Sequence, residues 1–143
     1  MTGADTIVRH LEQLRVYLNR LAELQQSSRE QLHGDWHVQA MVERNLQLAI
    51  EAIISISEQI IAALALPTPE NSRLALALLA DEGIIPRDLA AELQAAVGFR
   101  NIIVHQYMGI DYDIVYNALQ NDLVHLESFL TIVSTYLRSH DLP

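Results

Sequence analysis

Three side chains that can do chemistry lie in one segment of otherwise apolar helical character, AAVGFRNIIVHQYMGIDYD, which carries Arg100, His105 and Tyr107. Arginine is rarely buried without a partner, and buried histidine and tyrosine need hydrogen bonds. A histidine titrates near neutral pH and can take or give a proton, and an arginine fork can hold a phosphate group. These residue types therefore indicate acid–base chemistry as well as a structural use of each side chain.

Arg100 falls at a core position of the helix that this segment predicts. The apolar stripe of that helix advances by three or four residues, and Arg100 fills the one step where an apolar side chain is expected. The stripe comprises Leu89, Leu93, Ala96, Ile103 and Tyr107. Two interpretations are open: a structural arginine paired with Glu51 or Glu58 of the preceding long helix, or a functional arginine at a site or an interface.

His105 does not share a face with Arg100 on a straight helix, because five residues rotate an ideal helix by about 140°. Asn101 and His105, four residues apart, do share a face, and Gly98 on that side would permit close approach of another backbone. A joint site then requires a helix distorted near its end or a second copy of the helix across a two-fold axis. Without such a site, His105 is predicted to be an ordinary core residue whose ring is hydrogen-bonded.

Helical patterns extend over almost the whole chain. Asp5 is a candidate cap of the first helix, Gly83 closes a short one, Pro86 opens the motif helix and Asp111 caps the last. The first predicted helix runs through Leu21, and a short piece follows within 27–35. A long helix is predicted over 36–64, where Pro67 and Pro69 end it. The remaining predictions are a short helix over 72–82, the motif helix over 86–109 and a last helix over 112–137. This order predicts a single all-α domain over residues 1–143, an antiparallel four- to five-helix bundle. The broad apolar surface of the long helix favours a homodimer.

Composition narrows the classes of partner. The chain has no cysteine, a net charge of −9 and nine basic residues, all of them arginine. Disulfides and thiolate metal sites are therefore excluded, and any RNA contact must come from a local arginine cluster, since an acidic surface repels bulk nucleic acid. The absence of a basic-then-apolar leader and of an uncharged apolar run of membrane-spanning length predicts a soluble, cytoplasmic protein.

Other candidate motifs favour structural uses. His33 and His37 have a spacing that can ligate zinc on a helix, but Gly34 and the turn-like surroundings indicate an ordinary loop. The pair in DYD, Asp111 and Asp113, is explained by helix capping, and His125 and His140 have no companion motif. The chain contains no glycine-rich phosphate loop and no nucleotidyltransferase pattern. We predict no metal site and no cofactor.

The segment FRNIIVHQY resembles the signature of the HEPN superfamily, in which an arginine is followed after four to six residues by a histidine. With the tyrosine two places after the histidine, Tyr107, the pattern resembles that of the HepT branch of toxins. VERNLQLAIEAIISISEQII and LLADEGIIPRDLAAELQAAVGFRNIIVHQYMGIDYDIVY also resemble that family, so the likeness covers most of residues 36–120. The resemblance implies a dimeric, all-helical, metal-independent ribonuclease toxin in which two copies of the motif line a cleft between protomers.

The resemblance also implies roles for individual residues. RNA carries a 2′-hydroxyl beside each scissile phosphate, so His105 is expected to act as the acid and base, Arg100 as the phosphate clamp and Asn101 as a supporting residue. Transfer RNA is the substrate expected at the level of the family. A degenerate HEPN module would be free to lose one residue of the motif, so the presence of both Arg100 and His105 favours catalysis.

Tyr107 is implied to be the target of a partner, a minimal nucleotidyltransferase antitoxin that adds AMP to it in a toxin–antitoxin pair similar to types II and VII. The added phosphate would lie beside Arg100 and exclude RNA. A higher hetero-oligomer with the antitoxin fits this interpretation. The alternatives are a non-catalytic HEPN module that binds nucleotide or scaffolds the nucleotidyltransferase, and a plain helical dimerisation protein.

Overall fold

The structure, a computed structural model, describes residues 3–105 and 109–142, and only the backbone of residues 104 and 105. In chain order the helices are α1 (Gly3–Leu24), α2 (Arg29–Gly34), α3 (Trp36–Ala63), α4 (Ser72–Asp81), α5 (Arg87–His105), α6 (Tyr112–Asn117) and α7 (Leu123–Ser139), with a π-helical segment, Ala118–Asp122, between the last two. No strand occurs in the described ranges. The predicted all-α class is confirmed.

The long helix α3 is the centre of the bundle. It packs against α1 on one side and against α4, α5 and α7 elsewhere, while α1 also contacts α7. Its predicted stripe is buried throughout, at Val42, Leu46, Ala49, Ile53, Ile56 and Ile60. Neighbours in the same chain therefore cover most of its apolar surface, and the breadth of that surface is not in itself an argument for a dimer.

The composition of α3 also meets a simple test for membrane-spanning helices. Among the described residues it is the one helix long and apolar enough to cross a bilayer, yet 56% of its apolar window is buried inside the bundle. Such burial is expected of a helix at the centre of a core.

Most predicted helix ends are confirmed. The Asp111 carboxylate caps α6 by accepting from the Asp113 backbone N–H at 2.9 Å, and Gly83 follows α4 with φ +73°. Two predicted starts are wrong, one by three residues and the other by one. The helix α1 begins at Gly3, which places Asp5 in its first turn, and Pro86 precedes α5 instead of forming its first residue.

The predicted last helix is interrupted by the π-helical segment. The Gln25 side chain, just after α1, donates to the Leu119 carbonyl at 2.9 Å, and the Gln120 side chain donates to the Gln25 carbonyl at 2.7 Å. A π-helical turn loosens the regular i→i−4 hydrogen bonds, so partners from another element can satisfy its backbone groups. These two bonds fix the segment to the end of α1.

Candidate functional site

Arg100 lies on α5 with its side chain 24% exposed, facing α3. Its Nη1 lies 3.6 Å from Oε1 of Glu51, whose side chain is 39% exposed. The same carboxylate oxygen accepts from Nε2 of Gln47 at 3.1 Å. Of the two predicted partners, Glu51 is therefore confirmed. Glu58 is exposed and forms no ion pair within the described residues.

The buried stripe of α5 passes through Val97 where Ala96 was predicted, Ile103 is only partly buried, and Tyr107 lies outside the described residues. Leu89, Leu93 and Val97 are buried at 7%, 1% and 4% exposure, whereas Ala96 is only partly buried. The stripe therefore passes through Val97, and Arg100 follows it three residues later. The prediction that Arg100 occupies a core register is confirmed, with the arginine at the edge of the core.

One donor of Arg100 is unsatisfied. Its Nε is buried and has no hydrogen-bond partner within the described residues. Leaving a buried donor unpaired costs about 1–3 kcal/mol, so such a group is expected to find an acceptor that the described residues do not supply. Phosphate oxygens are acceptors that match an arginine fork well.

Arg100 and Asn101 open onto a cleft between α5 and the start of α4. The cleft is lined by Asn71, Ser72, Arg73, Leu74, Val97, Arg100 and Asn101. Asn101 is exposed there, beside the partly buried Arg100. The structure thus brings together two of the predicted site residues and adds Arg73, which the sequence analysis missed because it lies on another helix.

Gly98 does permit a close approach, but to a side chain of the same chain instead of another backbone. A Cβ at this position would lie 2.6 Å from Nη2 of Arg73. That distance is far inside van der Waals contact, so the position of the Arg73 side chain depends on glycine at this point of α5. A glycine facing another helix was the one signal in the sequence that pointed to this contact.

The other two residues of the motif are described less fully. His105 is the last described residue of α5, with helical backbone, and Tyr107 lies outside the described residues. The helix is regular between Arg100 and His105, so the expected distortion is not found before His105. The two residues remain about 140° apart around the axis.

Two tyrosines follow the motif, and each has a partner. The Tyr112 hydroxyl donates to Oε1 of Glu43 at 3.2 Å, and burial, the Glu43 charge and this bond raise the pKa of Tyr112. The Arg29 guanidinium lies over the Tyr116 ring, 4.6 Å from its centroid. Neither hydroxyl belongs to the cleft around Arg100.

His33 and His37, the two histidines that flank Gly34, Asp35 and Trp36, have separate carboxylate partners. His33 Nε2 lies 2.9 Å from Oδ1 of Asp113, and His37 Nδ1 lies 3.5 Å from Oδ1 of Asp35. Hydrogen bonds from His33 and then from Arg29 lower the pKa of the Asp113 carboxyl. Asp113 therefore ties α2 to α6. The loop interpretation of these histidines is wrong, because His33 lies on α2 and His37 on α3 with only Asp35 between the two helices.

A further group could hold a metal by the types of its side chains. Glu92, Asp122 and His125 place one ligand atom each within 4.8 Å of one another. His125 Nε2 and Oε2 of Glu92 are 3.6 Å apart, so an ion pair between α5 and α7 explains their closeness without a metal. His125 has no companion motif in the sequence, and the fold brings Glu92 and Asp122 to it from distant positions.

An exposed apolar patch borders the far side of the motif helix. Ile102 and Ile114 are 48% and 53% exposed. They line one cavity together with Phe99, Ile103 and Ile110. A group of exposed apolar side chains of this kind often marks a surface that binds another molecule.

Comparison with known proteins identifies relatives over nearly the whole chain. Residues 7–133 match the family model described as ribonuclease HepT-like. The chain is 31% identical over 129 residues to an mRNA nuclease HepT of Shewanella oneidensis, covering 90% of this chain and 96% of that protein. It is 27% identical over 139 residues to a tRNA nuclease HepT of Aphanizomenon flos-aquae, covering 96% of this chain and 95% of that protein.

Solved structures agree with these matches. The tri-AMPylated Shewanella oneidensis HEPN toxin, determined in complex with its MNT antitoxin, superposes with a TM-score of 0.84 at 30% identity, covering 94% of this chain and 99% of the toxin. A toxin–antitoxin complex with AMP-PNP gives the same TM-score, 0.84, at 30% identity, covering 92% of this chain and 98% of that one. The sequence match and the shared bundle lead to one conclusion: the chain belongs to the HepT-like ribonuclease family of HEPN proteins.

Proposed function

We propose that this chain is a toxin ribonuclease that cuts RNA without a metal ion, through Arg100 and His105, as a homodimer in the cytoplasm. The observation that carries the proposal is the setting of Arg100. It lies in core register, is held by Glu51 and lines a cleft together with Asn101 and Arg73. An arginine used only for packing has no need of that cleft.

The reaction follows from the chemistry of RNA. The 2′-oxygen attacks the adjacent phosphorus while a neutral His105 takes its proton, an O–P bond forms, and the bond from phosphorus to the 5′-oxygen breaks. A protonated His105 gives the leaving 5′-oxygen its proton. Arg100 holds the phosphate and stabilises the charge that develops on its oxygens. The products carry a 2′,3′-cyclic phosphate and a 5′-hydroxyl.

A dimer resolves the geometry of the motif. Because α5 is regular through His105, the positions of Arg100 and His105 are about 140° apart around the helix axis, and a second copy can bring the missing group to each. The exposed patch at Ile102 and Ile114 lies on the face of α5 away from Arg100, so it offers a second copy an apolar surface but does not by itself bring the two groups together. One histidine then acts as the base and its symmetry mate as the acid.

Asn101 has a supporting role in this proposal. It is exposed in the cleft, next to Arg100 along the helix. Its amide donates to phosphate oxygens or to the sugar, which orients the substrate without taking part in proton transfer.

The partner is proposed to be a nucleotidyltransferase antitoxin that modifies Tyr107. The phenolic oxygen of Tyr107 attacks the α-phosphorus of ATP, an O–P bond forms, pyrophosphate leaves, and the phenolic proton passes to a base of the partner. A relative at 30% identity is tri-AMPylated in complex with its MNT antitoxin, which supports this assignment. The other two tyrosines of the segment already have Glu43 and Arg29 as partners.

The substrate is proposed as RNA in general. Transfer RNA is the expectation from the family, and the Aphanizomenon relative is named a tRNA nuclease. The Shewanella relative, at 31% identity, is named an mRNA nuclease. The two relatives therefore support RNA as the substrate class, but one is named for mRNA and the other for tRNA.

Expression in a bacterial host tests the proposal in the cell. The unchanged chain is expected to arrest growth, and His105→Ala at equal expression is expected not to. Toxicity that survives His105→Ala, or no toxicity from either chain, would favour a non-catalytic scaffold. In the purified system with partner and ATP, mass spectrometry is expected to find AMP on Tyr107, and an adduct confined to Tyr112 or Tyr116 would overturn that assignment.

A further inference from the structure

Arg73 shares the cleft of Arg100 but belongs to a different helix. It lies in the first turn of α4 with Ser72, just after the N-cap Asn71, and lines the same cleft as Arg100 and Asn101 on α5. Neither the sequence motif nor the family match singles it out. The cleft therefore presents two guanidinium groups to the same space.

The Arg73 side chain is held in this place by α5. Its Nε donates to the Gln94 carbonyl at 3.5 Å, and the Gln94 side chain donates back to the Arg73 carbonyl at 2.8 Å. One turn further along α5, Nη2 lies where a Cβ of residue 98 would be. The bond to the Gln94 carbonyl and the space at Gly98 thus lay the guanidinium along the surface of α5, while the bond from Gln94 to the Arg73 carbonyl joins the backbone of α4 to α5.

Its charge is available to a ligand. Arg73 is exposed, and within the described residues it forms no ion pair, whereas Arg100 has Glu51 and Arg87 has Asp81. The positive end of α4 also faces the cleft through Asn71 and Ser72. In a chain of net charge −9, a cleft with two arginines and a helix N-terminus is a local exception that suits an anion.

We propose that Arg73 is a substrate-binding residue that holds an RNA phosphodiester next to the scissile one, so that the cleft between α4 and α5 is a backbone subsite. This inference rests on the proposed ribonuclease function. Arg100 binds the phosphate that reacts, and Arg73 binds its neighbour and sets the register of the strand. Arg73 does not touch the reacting atoms, so it contributes to binding and positioning.

The test measures RNA binding in a background that cannot cut. A short fluorescein-labelled single-stranded RNA is titrated into His105→Ala by fluorescence anisotropy over a series of salt concentrations. Adding Arg73→Ala is expected to weaken binding about tenfold at about 0.1 M salt and to reduce the slope of log K against log salt by about 0.7. Adding Arg73→Lys is expected to keep the slope and to lose only part of the affinity.

Two further variants separate a specific contact from a loss of charge. Arg87→Ala removes an exposed arginine paired with Asp81 near the other end of α5, and it is expected to leave RNA affinity within about twofold. Gly98→Ala keeps every charge but displaces the Arg73 side chain. It is expected to weaken binding less than Arg73→Ala does and to keep the salt slope, because the exposed guanidinium moves aside but stays at the cleft, and to add no loss to Arg73→Ala in the double variant.

Cleavage by the unchanged chain is measured in parallel, so that the two proposals fail separately. If the unchanged chain cuts RNA and Arg73→Ala matches Arg87→Ala in affinity and salt slope, the subsite is refuted and the ribonuclease stands. If the unchanged chain cuts no RNA and His105→Ala binds none, the ribonuclease proposal is refuted, and the subsite proposal, which depends on it, is refuted as well. A circular dichroism spectrum and melting temperature for each variant confirm that it is folded.

Discussion

At the scale of single residues, Arg100 combines a structural ion pair with a position on the cleft between α4 and α5. Its ion pair with Glu51 fixes the guanidinium against α3, while the partly exposed side chain also lines the cleft between α4 and α5. The two interpretations open from the sequence, a paired arginine and a functional one, are therefore compatible. A partly buried arginine needs a carboxylate to hold it, and a phosphate clamp needs an arginine that is held.

Replacement of Glu51 tests this dual use. Glu51→Gln removes the charge that orients Arg100, so kcat for RNA cleavage is expected to fall about tenfold and the free energy of unfolding by about 1 kcal/mol. Urea denaturation and initial cleavage rates measure the two effects. Glu58→Gln on the same helix is the matched control, since Glu58 is exposed and has no ion pair among the described residues. Equal behaviour of the two variants would contradict the role of Glu51.

Glu43 gives a pH-dependent prediction. Burial raises the pKa of its carboxyl above the ordinary 4.5, and the bond from Tyr112 opposes this in part. The folded state therefore holds the proton more tightly than the unfolded chain, and stability falls as pH rises through the range above 4.5. Glu43→Gln is expected to gain stability relative to the unchanged chain at pH 7 and to lose that gain in more acid solution. Urea midpoints that differ by the same amount at both pH values would contradict it.

At this scale, the sequence predicts positions within one helix better than contacts between residues on different helices. The register of Arg100 and its Glu51 partner follow from helical periodicity, because both residues lie on long, strongly patterned helices. Arg73 could not be predicted in the same way. Its approach to Gly98 depends on how α4 folds back on α5, and no local pattern encodes that turn.

At the scale of elements, α3 and α4 end in the same way with different residues. After α3, the Leu66 N–H donates to the Ile61 carbonyl at 3.1 Å, and after α4 the Ile84 N–H donates to the Leu79 carbonyl at 2.9 Å. This closing pattern places one residue at positive φ, which is Gly83 at +73° in one case and Ala65 at +55° in the other. The Pro67 and Pro69 signals predicted where α3 stops but not the backbone conformation that stops it.

The two helix ends form a matched pair for mutation. Ala65→Gly is expected to raise the free energy of unfolding by about 0.5–1 kcal/mol, because it removes the steric cost of a Cβ at positive φ. Gly83→Ala is expected to lower it by about 1 kcal/mol for the same reason. Urea denaturation of both variants checks the signs, and a loss of stability on Ala65→Gly would contradict the account.

The broken last helix shows a second limit of the sequence at this scale. The cap at Asp111 was predictable, since an aspartate before an apolar periodic run is a common N-terminal signal. The π-helical segment was not, because it depends on Gln25, which lies far away in sequence and binds the Leu119 carbonyl. Contacts between distant segments decide such local departures from the α-helix.

At the scale of the whole molecule, the account requires two copies of the chain. The patch at Ile102 and Ile114 borders the motif helix, and the proposed dimer buries it. Ile102→Glu is expected to convert the dimer to a monomer and to reduce RNA cleavage at least about tenfold, because it places a charge in an apolar interface. Light scattering after size-exclusion chromatography measures the mass.

The control for this variant is Val16→Glu. Val16 is also exposed, at 46%, but lies on α1, outside the patch. It is expected to leave both the mass and the cleavage rate unchanged. A monomeric Ile102→Glu that cuts RNA at the full rate would show that one chain suffices for catalysis.

The most direct measurement is cleavage of RNA by the purified chain in the presence of a metal chelator. The account predicts that the unchanged chain and Arg87→Ala cut RNA to products with 2′,3′-cyclic phosphate ends, and that Arg100→Ala and His105→Ala are each at least about a hundredfold slower. Cleavage by either variant at the rate of the unchanged chain, or activity that the chelator abolishes, would contradict it.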